Sequence, residues 1–202
     1  MITTWDGSTV FDLAHINSVE PDGDKLIFSA RYFDAVYAID RATDGIAWKL
    51  GGVHIPQSLT IDGDPLAATD FGGQHDARLP GGGDLLTVFD NGTERDRPPR
   101  ALAFRLHLDQ RRAELVRAVK FAEAPDSECC GSARLLPGRD WVVSWGNRPW
   151  VTEQTWTGAP VLEIEFLPKE KELASYRVVP IMRGGKLTRD RLSKAMTAVY
   201  GG

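Results

Sequence analysis

The sequence predicts an all-β fold built from β-propeller blades of four antiparallel strands, about three of them, followed by a short C-terminal helix. Three observations predict it. His15-Ile-Asn-Ser-Val-Glu-Pro-Asp-Gly-Asp24 lays over His75-Asp-Ala-Arg-Leu-Pro-Gly-Gly-Gly-Asp84, and a third copy runs Gly131-Ser-Ala-Arg-Leu-Leu-Pro-Gly-Arg-Asp140. The turn aspartates Asp24, Asp84 and Asp140 are spaced by 60 and 56 residues, a period that suits a repeated strand-and-turn unit. Each aspartate opens an apolar run, and between the copies apolar and polar residues alternate as in half-buried strands.

The first unit predicts strands over 16–19, 26–30, 35–40 and 46–50. Pro21-Asp-Gly-Asp24, Tyr32-Phe-Asp34 and Arg41-Ala-Thr-Asp-Gly45 supply the Gly, Asp and Pro that tight reversals need. Ala35-Val-Tyr-Ala-Ile-Asp40 and Ile46-Ala-Trp-Lys-Leu50 alternate cleanly. A polar stretch, 53–70, shows no period and is expected as a connection. The second unit predicts strands over 74–79, 85–90, 101–108 and 114–119, with a charged loop at 93–100. The third predicts 132–136, 141–145, 161–166 and 175–180. Blades then span about 14–52, 71–120 and 130–181 of a single domain, 1–202. In the tail, 187–200, Thr188 is placed as an N-cap with Leu192, Ala195, Met196 and Val199 on one helical face. Three blades do not close a ring. The chain is therefore expected to be the C-terminal part of a larger ring, or to complete itself as a homo-oligomer.

Hydrophobic residues at 42% and charged residues at 26% describe an ordinary soluble globular chain rather than a disordered one. A net charge of −4 gives no general attraction to nucleic acid or anionic membrane, and no stretch approaches a membrane span. Met1-Ile-Thr-Thr-Trp-Asp6 has neither a basic nor an apolar leader segment, so the chain as written is expected to be cytoplasmic. The adjacent Cys129 and Cys130 are expected either as small buried residues or as a strained, easily reduced bridge. Zinc is not expected there, because no second pair has ligand spacing.

The repeat register marks a second position, seven residues after each turn aspartate, held by Arg31, Asn91 and Asn147. In an antiparallel pair the start of one strand lies beside the end of the next. His15 is thus expected beside Arg31 and His75 beside Asn91, while period-2 alternation places Asn17 on the face of His15 and turns Gln74 and Asp76 away from that of His75. Leading strands along an axis would gather His15, Asn17, Arg31, His75 and Asn91 at one mouth, with Gly131 in the third histidine slot. Such a set suits a tetrahedral oxyanion: arginine offers a planar fork, asparagine neutral donors, and histidine an acid, base or nucleophile. No third ligand accompanies the two histidines, so no metal is expected. His54 and His107 are expected to be structural, Asp76 to organise its blade, and Trp145 and Trp150 either to wall the site or to pack.

His15-Ile-Asn-Ser-Val, Ser29-Ala-Arg, Gln74-His-Asp-Ala-Arg, Phe89-Asp-Asn-Gly and Gly131-Ser-Ala-Arg-Leu-Leu-Pro-Gly together resemble the arylsulfotransferase family, from about His15 to Tyr176-Arg-Val. The resemblance implies a six-bladed propeller with its site at the central channel. It implies sulfuryl transfer from an aryl sulfate to a phenol through a sulfohistidine, without a nucleotide donor or other cofactor. His75 would be the nucleophile; His15, Asn17 and Arg31 would hold the sulfate oxygens and assist the departing phenolate. The family supplies another histidine from an earlier blade, which this chain does not contain, and its members are commonly exported. A shortened, inactive relative fits the same motifs. The competing expectation is a non-catalytic propeller segment that binds a ligand or protein partner.

Overall fold

The alternating runs become, in the computed structural model, three antiparallel meanders whose leading strands lie side by side. The structure describes residues 2–3, 9–66, 71–167, 173–181, 191 and 194. A short ribbon, β1 (Ile2–Thr3) with β2 (Thr9–Val10), precedes them. The first sheet is β3 (Ile16–Asp22), β4 (Lys25–Ala30), β5 (Ala35–Asp40) and β6 (Ile46–Gly51), in chain order. Its turns close as their residues require. Asp40 Oδ1 accepts from the amides of Ala42 and Thr43 at 2.9 Å each, fastening the reversal into β6.

The second sheet adds a strand absent from the sequence expectation. β7 (Thr60–Asp62) lies in the stretch 53–70 that showed no period. It pairs in parallel with the outermost strand of the meander β8 (His75–Arg78), β9 (Leu85–Asp90), β10 (Arg100–His107) and β11 (Arg112–Val119). Three residues are too few to show a period, and their hydrogen-bond partners lie about 50 residues onward, at Arg112–Glu114.

The third sheet is β12 (Ser132–Leu135), β13 (Trp141–Ser144), β14 (Trp150–Gln154) and β15 (Pro160–Glu165). The run expected as third strand is thus the fourth, and Trp150-Val-Thr-Glu-Gln154 takes its place. Residues 173–181, expected to hold a fourth strand over 175–180, form none and run across the leading strands instead. Their hydrogen bonds go to the Gly131 amide, the Ser132 and Ser144 hydroxyls of the third sheet and the Asn17 carbonyl of the first. The expected helix over 187–200 lies outside the described residues except for Arg191 and Lys194, both helical.

Two cores follow from the alternation. One face of the first sheet, Ile27, Val36, Ala38, Trp48 and Leu50, packs against Leu86, Val88, Leu102, Phe104 and Leu106 of the second. The other face of the second sheet, Phe89, Ala101, Ala103 and Val119, packs against Ala133, Trp141, Val143 and Trp145. The middle sheet is buried on both faces, which is why the centre of β10, Ala101–Phe104, is an unbroken apolar run. β3 contacts β8 and β8 contacts β12, so the ends of the three leading strands meet in one place.

Candidate functional site

His75 opens β8 and is fully buried. Its Nδ1 lies 2.9 Å from the carbonyl oxygen of Gly73. A carbonyl can only accept, so Nδ1 carries the proton and Nε2 the lone pair. Nε2 is itself buried and has no hydrogen-bond partner among the described residues. Burial pushes the ring down to about 4, the Gly73 bond opposes this, and Arg31, His15 and Arg177 add to the depression. The result is a neutral imidazole at ordinary pH with an unused nitrogen lone pair.

Asn91 fixes that tautomer from behind. Its Nδ2 donates to the Gly73 carbonyl at 2.7 Å and to the Cys130 carbonyl at 3.0 Å, and its Oδ1 accepts from Ser127 Oγ. Nδ2 also lies 3.2 Å from His75 Nδ1. Both nitrogens are donors, so they share the Gly73 oxygen rather than bond each other. Asn91 has every polar atom occupied.

His15 precedes β3 in the left-handed region, at φ 49°, a conformation that costs about 1–2 kcal/mol for a residue with a side chain. Asp12 holds it there: its Oδ1 accepts from the His15 amide at 2.8 Å, and its Oδ2 lies 2.7 Å from Nδ1. The second contact is close but lacks hydrogen-bond alignment, since Nδ1 has no aligned partner. The His15 and His75 rings stand edge to face with centroids 6.0 Å apart, and Tyr32 lies 5.1 Å beyond His15.

Arg31 donates its amide to the His15 carbonyl at 3.1 Å, the expected cross-strand adjacency. Its Nη2 donates to the Glu128 carbonyl at 2.6 Å, while Nε is buried without an aligned partner. A Cβ on Gly73 would come within 3.3 Å of that Nε, so glycine lets the guanidinium draw in against the backbone. Asn17 is placed differently from the alternation argument, because a register shift falls between Ile16 and Ser18. Its Nδ2 donates to the Gln74 carbonyl at 2.8 Å and its Oδ1 accepts from the Asp76 amide at 3.2 Å. That amide ties β3 to β8 instead of facing open space. Gln74 reaches back to Ala30, Ala35 and Ser29, away from His75.

Asp76, at φ 54° and fully buried, gathers three guanidiniums: Arg78 at 3.0 Å, Arg134 at 2.9 Å and Arg177 at 3.2 Å. Arg177 also donates to the Asn17 carbonyl. The third copy of the histidine position is Gly131 at φ 90°, where a Cβ would stand 2.4 Å from the Phe89 ring. A histidine has no room there.

An arylsulfotransferase (ASST) family model matches residues 2–167. The chain belongs to the arylsulfotransferase family. No curated protein matches this arylsulfotransferase-family chain. Among solved structures it is similar to a protein of unknown function from Bacteroides caccae, determined at 1.35 Å resolution, with 12% identity and a TM-score of 0.46. The likeness covers 79% of this chain and 49% of that one, so the chain spans about half the length of that protein.

Two clefts of this arylsulfotransferase-family chain are lined by neighbours of the histidines, Tyr32 in one and Arg31 in the other, but by neither His15 nor His75. One, of about 810 Å³, is lined by Tyr32, Phe33, Tyr37, Lys49, His54 and Arg95 among others. The other, of about 590 Å³, is lined by Arg31, Thr93, Arg97, Ser127 and Cys129 among others. Cys129 and Cys130 form a disulfide, and its Cys130 carbonyl is the one that Asn91 engages. Asn147 Oδ1 accepts from the Glu128 amide at 3.0 Å, holding the same loop. Trp145 is fully buried against Phe89 and Phe121, so it packs; Trp150 is half-buried against Phe121. His107 pairs with Glu114 at 3.2 Å across two strands, remote from His75 in the sheet. No cluster of three or more His, Cys, Asp or Glu suited to a metal occurs among the described residues, and none of their helices is long and apolar enough to cross a membrane.

Sequence reasoning missed Asp12, Gly73, Ser127, Tyr176 and Arg177. Asp12 lies three residues before His15 and Gly72-Gly73 immediately before Gln74-His75, signals that were available. Tyr176 and Arg177 close the stretch of family resemblance, but nothing local placed them beside His75, because that depends on where 173–181 crosses.

Proposed function

We propose that the chain is an arylsulfotransferase-like enzyme that moves a sulfuryl group from an aryl sulfate to a phenol, with His75 Nε2 as the nucleophile. The observation that carries this reading is the buried, unpartnered Nε2 of a ring whose proton is committed to Gly73. Attack by Nε2 on sulfur would break the sulfur–phenolate bond and leave the group on the ring. Arg31, through its unengaged Nε, would face the sulfate oxygens; its positive charge is also among the causes that depress His75. His15, backed by the Asp12 carboxylate, would pass a proton to the departing phenolate and take one from the acceptor. Asn17 and Asn91 would act by holding β3, β8 and the 127–131 loop in register around the two rings.

The three meanders are read as blades of an incomplete propeller whose leading strands line the axis. Adjacency of β3, β8 and β12 supports this, as does β7, which passes from one sheet to the outer edge of the next. Further blades would come from more of the chain or from a second copy. Exposed Val161, Leu162 and Ile164 on β15 support an arc that continues.

Incubation with p-nitrophenyl sulfate and a phenol should release nitrophenolate, and His75→Ala should abolish the release. Turnover unaffected by that substitution removes the proposed nucleophile.

A further inference from the structure

We propose that Tyr176 is an intramolecular sulfuryl acceptor, its phenol taking the group from His75. The inference rests on the reading of His75 as nucleophile and names a modification site within the same chain.

Residues 173–181 return after the third sheet and are pinned across the leading strands at several points. Gly131 N donates to the Tyr176 carbonyl at 3.0 Å, Val178 N to Ser132 Oγ at 3.0 Å, and Ser144 Oγ to the Ser175 carbonyl at 2.7 Å. Arg177, next in sequence, is held by Asp76 and by the Asn17 carbonyl. Backbone anchors on both sides of Tyr176 therefore fix where its ring arrives. That ring stands edge to face with His75, centroids 6.0 Å apart, on a nucleophile that is otherwise sealed. The Arg177 guanidinium lies 5.6 Å over the ring. Tyr176 is nonetheless 51% exposed, so its side chain can turn about a fixed backbone.

The Tyr176 ring, packed against that of His75, carries a phenol, the chemical class of group that the proposed reaction delivers to. Once sulfur is bonded to His75 Nε2, the Tyr176 oxygen attacks sulfur and the sulfur–nitrogen bond breaks. The bonding pair returns to Nε2, restoring the neutral ring with its proton on Nδ1. The phenolic proton passes to His15, whose ring lies 6.0 Å from that of His75. His15 had given a proton to the first phenolate, so the two transfers balance. Tethering replaces a bimolecular encounter with an internal one, which favours Tyr176 over a free phenol at low acceptor concentration.

The test is to treat the full chain with p-nitrophenyl sulfate in the absence of added phenol and to locate SO3 by peptide fragmentation. SO3 is expected on Tyr176, with nitrophenolate released in stoichiometric rather than continuous amounts. Tyr176→Phe keeps the ring and its packing; it should retain label on His75 alone and release about half as much nitrophenolate as the parent chain. Label on His75 with none on Tyr176 in the parent chain overturns this inference and leaves the proposed function standing. Absence of any nitrophenolate from the parent chain overturns both.

Discussion

Gly73 and His75 are joined by a hydrogen bond of 2.9 Å from the imidazole Nδ1 to the glycine carbonyl, two residues back along the same chain. So short a loop sets the tautomer locally, while burial sets the charge. The ring is neutral because protonation would place a cation in a sealed site already facing Arg31 and Arg177.

That depression predicts a pH dependence of stability. The folded value of about 4 lies below the ordinary value of 6.5, so between them the unfolded chain binds more protons. Stability from this group is complete above about pH 6.5 and is lost as pH falls toward 4. From about pH 7 to about pH 5 the loss should be roughly 2 kcal/mol in urea unfolding. His75→Asn should flatten that part of the profile. An identical slope in parent and variant would show that the ring is not held neutral.

Arg31 should matter to rate more than to folding. Its side chain makes one main-chain hydrogen bond, to Glu128, and lies 5.4 Å from the Tyr32 ring centroid. Arg31→Ala should cost under about 1 kcal/mol of stability. If its charge faces the sulfuryl group, kcat/KM should fall on the order of a hundredfold, and Arg31→Lys should recover only part. An unchanged kcat/KM in Arg31→Ala removes it from the site.

Asp76 is the opposite case. Its fully buried carboxylate is the shared partner of Arg78, Arg134 and Arg177, which reach it from β8, β12 and the 173–181 segment. Asp76→Ala should destabilise the chain by about 3 kcal/mol, discounted from larger values because the arginines are partly exposed. It should also loosen 173–181, measured as faster amide exchange at Arg177 and Val178. Exchange unaltered at those amides would mean that the segment is held without Asp76.

Gly131 tests why the third sheet lacks a histidine before its leading strand. A Cβ there would stand 2.4 Å from the Phe89 ring and 3.0 Å from the Ser144 carbonyl, at φ 90°. Gly131→Ala should cost roughly 2 kcal/mol or more, read as a lowered Tm. A variant as stable as the parent would place the asymmetry of the site elsewhere than in packing.

By itself the sequence determined the strands of the first meander, most of those of the second and the first two of the third, with their turns, and the pairing of His15 with Arg31 and of His75 with Asn91. Those depend on period-2 alternation, on residues such as Asp40 and Gly23 that govern a reversal within a few positions, and on antiparallel register, all local rules. Tertiary structure alone decided the rest. The register shift after Ile16 turned Asn17 into a tie between sheets, β7 joined a sheet whose partner strand lies far along the chain, and 173–181 brought Tyr176 onto His75. Each of these rests on contacts between residues remote in sequence, whose energy appears only when both surfaces exist, so no periodicity in either segment announces them.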